Sequence, residues 1–258
     1  MTQCEIANFY RNDEYISHNP SSHTEDSPWK ITKIIPLVDL MMRQHTRDDV
    51  VLLDVGGGAG MIANAVADHI DKTYGKKVCV FALDLSPGML EIQRQTNPKL
   101  ARTLNEDVRH TSLKDREIDL ALMIDVIEHV PEPTKAMREI NRFSSYCIYK
   151  VPLENNLLYR LKDFFAHGRL RKSLIETYGH INVYNASLLK AQILKTRGEI
   201  IDFSYSNASE YFRSQKNLSF PSRLRNWVAA GLFRISPSLA ARVFLDFAMV
   251  LVRGESSK

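Results

Sequence analysis

Short, nearly continuous apolar runs recur along this chain at intervals that leave room for helices between them. Residues 50–55 form one such run, interrupted only by Asp54, and Lys77–Leu83, Ile118–Ile124 and residues 144–151 form others. Runs of this length that are rich in valine, leucine and isoleucine are typical of strands buried on both faces of a parallel sheet. The pattern therefore predicts four central strands.

Helical periodicity fills the gaps between these runs. Met61–Tyr74 is the clearest case, because its isoleucine and valine residues share one face. Weaker patterns complete the alternation: helices are predicted at 27–41, 134–141 and 186–197, and strands at 102–104, 200–205 and 243–252. Strands that alternate with helices predict an α/β fold with a doubly wound sheet.

Three glycines, Gly56, Gly58 and Gly60, alternate directly after the first predicted strand. Glycine lets the backbone adopt positive φ and approach a ligand closely, and the helix that follows offers free N–H groups. A dinucleotide fingerprint would place its third glycine at position 61, which is Met61. Asp54 at the strand end would also repel a pyrophosphate. The turn therefore favours a cationic ligand.

The order acid-x-Gly-x-Gly-x-Gly resembles motif I of the class I S-adenosylmethionine-dependent methyltransferases, where the acid faces the methionyl ammonium. A second stretch, Asp-Val-Ile-Glu-His-Val at 125–130, closely resembles a motif of the small-molecule branch that includes quinone O-methyltransferases. The resemblance covers residues 27–205 and 243–253. It implies a seven-stranded, mostly parallel sheet whose last strand is antiparallel and inserted between strands five and six.

The same resemblance implies a binding site for S-adenosyl-L-methionine along the carboxyl ends of the strands. The acid after the second strand would bind both ribose hydroxyls, and the acid after the third strand would bind the adenine amino group. The predicted cofactor-binding residues are Asp54, Gly56, Gly58, Gly60, Asp84, Leu85, Met89, Asp107, Val108 and Asp125. Two alternatives stay open: Asp84 serves only as a helix cap, or the adenine contact belongs to Glu106.

Two histidines are the candidates for catalysis. The cofactor supplies the electrophile, so the protein must orient the reactants and accept a proton if the acceptor is a hydroxyl. His129 and His180 are the predicted proton acceptors. The alternatives are that His129 only caps the turn after the fourth strand and that His180 is an ordinary loop histidine. No metal is assigned. A divalent site made of Asp125, Glu128, His129 and His180, related to that of some members of the fold, is left open.

The resemblance does not account for two basic insertions, which we assign to a cap. Residues 1–258 are predicted to form a single domain, with an N-terminal lid at 1–45 and cap insertions at 153–178 and 207–243. Substrate identity is expected to depend on the insertions. Residues 222–233 have the composition of an interfacial helix, although ordinary packing within the cap is the preferred interpretation.

Composition and charge narrow the class of protein and its cellular compartment. The chain has 258 residues, a formal net charge of +4 and 44% hydrophobic residues, which suits a globular protein and allows an acidic partner. Cys4, Cys79 and Cys147 are far apart and form no C-x-x-C motif, so we expect a reducing compartment. There is no apolar leader and no run of roughly 18 apolar residues. These features predict a cytoplasmic protein.

The sequence thus predicts a methyltransferase that acts on the oxygen of a small-molecule acceptor, which is acidic or lipid-linked. Peripheral membrane contact is allowed, and the oligomeric state is open. One alternative is RNA methylation, since Tyr211, Phe212 and Phe220 lie among arginines, but no RNA-binding module is visible and nucleic acid is not expected. Another alternative is a non-catalytic protein that binds S-adenosylmethionine.

Overall fold

The computed structural model describes residues 25–215 and 218–254. Most of the predicted lid at 1–45 lies outside this range, apart from its helix. The strands are β1 (Asp49–Val55), β2 (Lys77–Leu83), β3 (Leu100–Leu104), β4 (Ile118–Ile124), β5 (Ser144–Pro152), β6 (Glu199–Tyr205) and β7 (Phe247–Arg253). They form one seven-stranded sheet.

Helices connect the strands and form the cap. They are α1 (Ser27–Met42), α2 (Met61–Tyr74), α3 (Pro87–Thr96), α4 (Pro133–Phe143), α5 (Leu157–Phe165), α6 (Arg169–Ser173), α7 (Ala186–Lys195), α8 (Ala208–Ser214), α9 (Phe220–Ile235) and α10 (Pro237–Val243), with a π-helical turn at Leu174–Tyr178. The first predicted insertion contains α5, α6 and the π-helical turn, and the second contains α8, α9 and α10. None of the helices in the described ranges is long and apolar enough to cross a membrane.

The strand order is β3-β2-β1-β4-β5-β7-β6. Strands β1 to β5 pair in parallel, whereas β7 runs antiparallel to both of its neighbours. This confirms the predicted fold, including the antiparallel strand inserted between the fifth and sixth strands. The carboxyl ends of β1 and β4 lie side by side at the centre, where the strand order reverses. Ligands bind at this position in open α/β sheets.

Two apolar layers cover the sheet. On one face, Ile34 of α1 and Val66 of α2 pack with Leu52; on the other face, Met137 of α4 packs with Leu53. Adjacent residues of a strand therefore face opposite layers, as the near-continuous apolar run of β1 requires. Every residue of β4 is buried. The site residues at the strand ends thus rest on a rigid base.

The predicted start of the last strand, at residue 243, is wrong. Pro237–Val243 is helical because Ser236 caps it, its Oγ accepting a hydrogen bond from the Leu239 amide at 3.3 Å. Proline at the first helical position suits this start. The chain then turns at Asp246, and β7 begins at Phe247. The apolar residues before Asp246 therefore belong to the cap.

Asp246 also fastens the cap to the sheet. Its buried carboxylate accepts hydrogen bonds from Ser206 Oγ at 2.6 Å and from the amides of Ala208 and Phe247 at 3.1 and 2.8 Å. These donors belong to the end of β6, the start of α8 and the start of β7. One side chain therefore fixes where the second insertion leaves the sheet.

Asp246→Ala is expected to lower the free energy of unfolding by about 2–3 kcal/mol, because it leaves buried donors without an acceptor. Urea denaturation measures this change. Asp115→Ala is the control, since the Asp115 side chain is 75% exposed and its pair with Arg142 is a surface pair. Equal stability of the two variants would show that Asp246 does not hold the cap.

Candidate functional site

The glycine turn after β1 has the backbone that its sequence demands. Gly56, Gly58 and Gly60 have φ values of 61°, 56° and 74°, which residues with a Cβ rarely adopt. The amide of Gly56 donates to the Leu83 carbonyl at 2.8 Å, which joins the turn to the end of β2. Helix α2 begins directly after Gly60, so its free N–H groups lie beside the turn.

Gly57 is a required residue that the sequence analysis missed. A Cβ placed on Gly57 would lie 1.9 Å from Asp54 Oδ2, so the carboxylate occupies the space that any side chain would need. The signal was present as an unbroken run of glycines from 56 to 58. The motif allows any residue at position 57, whereas the folded turn has room only for glycine.

Two acids meet at the ends of β1 and β2. Asp54 is buried, and its Oδ2 has no hydrogen-bond partner among the described residues. Burial, together with the nearby Asp84 charge, raises the pKa of Asp54 to about 7. Burial also raises the pKa of Asp84 to about 6, although its carboxylate accepts from the Ser86 amide at 2.8 Å. An uncompensated buried carboxylate of this kind fits a ligand with positive charge or polar hydrogens.

The segment after β2 is held by two polar side chains. Ser86 caps α3, its Oγ accepting from the Met89 amide at 3.2 Å, while Met89 itself is fully buried beneath the loop. Asn105, which the sequence analysis did not select, donates to the carbonyls of Asp84 and Leu85 at 3.0 and 2.9 Å. The loop that carries Asp84 and Leu85 is therefore fixed to the end of β3.

The acid predicted to contact adenine already has a partner. Arg109 donates to Asp107 through Nη2 at 2.7 Å and through its backbone amide at 2.9 Å. Burial raises the pKa of Asp107, but these bonds outweigh it and leave the pKa below its usual value. Val108 is buried beside it, and the alternative acid, Glu106, accepts from Ser112. The adenine contact of Asp107 and Val108 stays a prediction.

Asp125 at the end of β4 lies between two lysines. It pairs with Lys30 of α1 at 2.9 Å and with the buried Lys150 of β5. Burial alone would raise the pKa of Asp125, but the two lysines lower it to about 2. Lys150, the one charge in residues 144–151, also lies 3.7 Å from the centre of the Phe247 ring. The Asp125 carboxylate, predicted to bind cofactor, thus also anchors α1 to the sheet.

The turn after β4 brings the two predicted histidines together. The rings of His129 and His180 lie 4.7 Å apart, centre to centre, and one ligand atom from each of Glu128, His129 and His180 falls within 4.8 Å of the others. Asn182 holds this arrangement. Its side chain donates to the carbonyls of Ile127 and Val130 at 3.0 and 2.8 Å.

Glu128 and Glu154 complete the cluster. Glu128 is buried, and neither of its carboxylate oxygens has a hydrogen-bond partner in another described residue. Burial and the Asp125 charge raise its pKa well above the usual value. Glu154, from the start of the first insertion, lies 2.9 Å from His180 Nδ1 and orients that ring. A carboxylate with two imidazoles, one of them held by a second carboxylate, is a donor set that suits a divalent metal ion.

Comparison with known proteins agrees with this geometry. Residues 53–144, from the end of β1 to the start of β5, match the family model described as "Methyltransferase domain". The chain is 26% identical over 152 residues to a protein of Mycobacteroides abscessus described as an uncharacterized methyltransferase. That match covers 55% of this chain and 57% of the relative, so the chain matches little more than half of that protein's length.

Solved structures share the fold over nearly the whole chain. A chain from the complex of the Haloferax volcanii Trm112 methyltransferase activator with a methyltransferase has a TM-score of 0.60 at 13% identity, covering 96% of this chain and 99% of that one. The [4+2]-cyclase SpnF has a TM-score of 0.54 at 17% identity, covering 86% and 81%. These similarities show the fold, and the cyclase shows that one fold serves different reactions.

The fold and the site thus define an α/β protein with a ligand crevice at the carboxyl ends of its central strands. Residues 53–144 match the methyltransferase-domain model, and the fold agrees with the predicted resemblance to the class I S-adenosylmethionine-dependent methyltransferases.

Asp54→Asn tests the electrostatics of the glycine turn. A carboxyl whose pKa is about 7 in the folded protein and about 3.9 in the unfolded chain lowers stability progressively as the pH rises between those values. Removing the ionisation should stabilise the ligand-free protein by ~2–4 kcal/mol at pH 8, and the gain should shrink toward pH 4.

Denaturation of both proteins across this pH range measures the difference. Asp49→Asn is the control, because it makes the same substitution on a side chain that is 60% exposed. A gain that does not change with pH would contradict the assignment of a raised pKa to Asp54.

Proposed function

We propose that this protein transfers the methyl group of S-adenosyl-L-methionine to an oxygen atom of a small-molecule acceptor. The observation that carries the proposal is the buried Asp54 carboxylate. It lies under a glycine turn and beside Asp84, and its Oδ2 has no hydrogen-bond partner among the residues that the structure describes. A cationic ligand with two neighbouring hydroxyls would satisfy both acids. S-adenosylmethionine has an ammonium group and a ribose.

In this proposal the chain's residues bind and orient the cofactor. Asp54 takes the ammonium end, while the absence of side chains at Gly56 and Gly58 lets the ligand approach the backbone. Asp84 accepts the ribose hydroxyls, because charge-assisted hydrogen bonds of this kind are strong. The sulfonium methyl is the electrophile that the bound cofactor supplies.

The histidine cluster would receive the acceptor. Glu154 holds His180 Nδ1, so the other ring nitrogen can take the proton of an acceptor hydroxyl, as a base held by a carboxylate does in other enzymes. His180 would hold the proton that the acceptor oxygen loses when it is methylated. His129 lies against the His180 ring and would help to position the acceptor.

A second arrangement of the same cluster is favoured by the Glu128 carboxylate, whose oxygens have no hydrogen-bond partner in another residue of the described ranges. Glu128, His129 and His180 would hold a divalent ion, and Glu154 would orient His180 behind it. Such an ion supplies Lewis-acid polarisation of an acceptor oxygen. A bound cation would also compensate the buried charge of Glu128.

The first experiment is calorimetric titration with S-adenosylmethionine. The wild type should bind, and Asp84→Ala should weaken binding by about 1.5–3 kcal/mol, because a charged acceptor is lost. Asp202→Ala is the matched control, since Asp202 is also half-buried but lies on the edge strand β6. No binding by folded wild type would overturn the proposal.

The metal arrangement is tested by titrating the protein with Co²⁺ and following its visible absorption. Binding that His180→Ala and Glu128→Gln each weaken at least about tenfold would support it, since each removes one ligand. His110→Ala is the control, because His110 is exposed and lies after β3. If all the proteins bind Co²⁺ equally, the cluster is not a metal site. The proposal that His180 acts as a base then stands alone.

The other candidate functions make different predictions. RNA methylation would require RNA affinity that falls steeply with salt concentration. A non-catalytic binding protein would bind S-adenosylmethionine but transfer no methyl group to any acceptor in a screen. We also propose a cytoplasmic location, because Cys79 and Cys147 are free thiols; Cys4 lies outside the described residues.

A further inference from the structure

Helix α9 exposes large apolar side chains to solvent. Phe220, Trp227 and Ile235 are 78%, 65% and 83% exposed. Leu224 and Val228 are also more than half exposed. A helix that only packed inside the cap would turn these residues inward, so packing within the cap does not account for them.

The exposed apolar residues of α9 form one face. At about 100° per residue, Phe220, Leu224, Trp227, Val228 and Ile235 fall within an arc of about 100°. The buried residues of the helix, Asn226, Ala229 and Ala230, lie on the opposite side. The helix therefore packs on the cap through small residues and presents its large apolar residues outward.

Arginines border this apolar face on both sides. Arg223 and Arg234 lie along one edge and Arg225 along the other, and the helix contains no acidic residue. Arg213 of α8 lies 4.7 Å from the centre of the Trp227 ring, which adds a further cation at the same face. An apolar stripe with an aromatic residue and flanking cations is typical of helices that lie in the interface of a membrane.

We propose that α9 docks the cap onto the surface of an anionic lipid bilayer. The apolar stripe would enter the boundary between headgroups and acyl chains, and the arginines would contact lipid phosphates. Charge complementarity favours this partner over a second copy of the chain. In a two-fold contact the same face meets itself, and arginines would oppose arginines.

A second element of the cap has the same character. Helix α5 exposes Phe164 and Phe165 by 76% and 75%, and it packs against α10, which in turn packs against α9. Arg160 and Lys162 lie on the same helix. The two cap insertions therefore each carry an exposed apolar element with basic residues on the same helix.

Vesicle co-sedimentation tests the proposal with the whole protein. We expect the wild type to bind vesicles of phosphatidylcholine and phosphatidylglycerol at least about tenfold more tightly than vesicles of phosphatidylcholine alone. The triple variant Phe220→Ser, Trp227→Ser, Ile235→Ser should lose at least about tenfold in binding. The triple variant Arg223→Gln, Arg225→Gln, Arg234→Gln should lose the preference for anionic lipid.

A matched control replaces exposed apolar residues elsewhere. Leu188 and Leu194 of α7 are 50% and 60% exposed, and their double replacement by serine should leave vesicle binding unchanged. The variants alter solvent-facing residues, so their melting temperatures should match the wild type. Vesicle binding that the α9 variants do not weaken would overturn the proposal. So would a dimer of the wild type that the apolar variant converts to a monomer.

Discussion

The buried carboxylate of Asp54 is the constraint around which this site is built. It excludes any side chain at position 57, where a Cβ would lie 1.9 Å from Oδ2, and this oxygen has no hydrogen-bond partner within residues 25–215 and 218–254. Burial of a charge is costly unless another group compensates it. Burial accordingly raises the pKa values of Asp54 and Asp84.

The second half of the crevice depends on long-range contacts at the end of β4. Lys30 and Lys150 hold Asp125, and Asn182 binds the carbonyls of the turn that carries Glu128 and His129. These contacts join α1, β5 and the loop before α7 to one strand end. Asp125, which is predicted to bind the cofactor, and the histidine cluster are thus neighbours because their supporting contacts converge on the same turn.

The cap and the crevice follow different physical rules. In the crevice, polar groups are buried and ordered by a few hydrogen bonds, so position determines their chemistry. On α9, large apolar side chains face solvent between arginines, so the composition of the exposed face determines what the helix can bind. Asp246 and Glu154 connect the two regions, because one fixes the second insertion to the sheet and the other brings the first insertion to His180.

The sequence alone determined the sheet and the glycine turn, because apolar periodicity and glycine spacing are visible in adjacent residues. It also offered His129 and His180 as candidates, and their catalytic role stays a prediction. It did not determine the partners of Asp125, the need for Gly57, the roles of Asn182 and Glu154, or the direction in which Trp227 points. Each of these depends on residues far apart in the chain or on which face of a helix is covered. Only the tertiary structure decides those contacts, since packing, not local pattern, sets which groups meet.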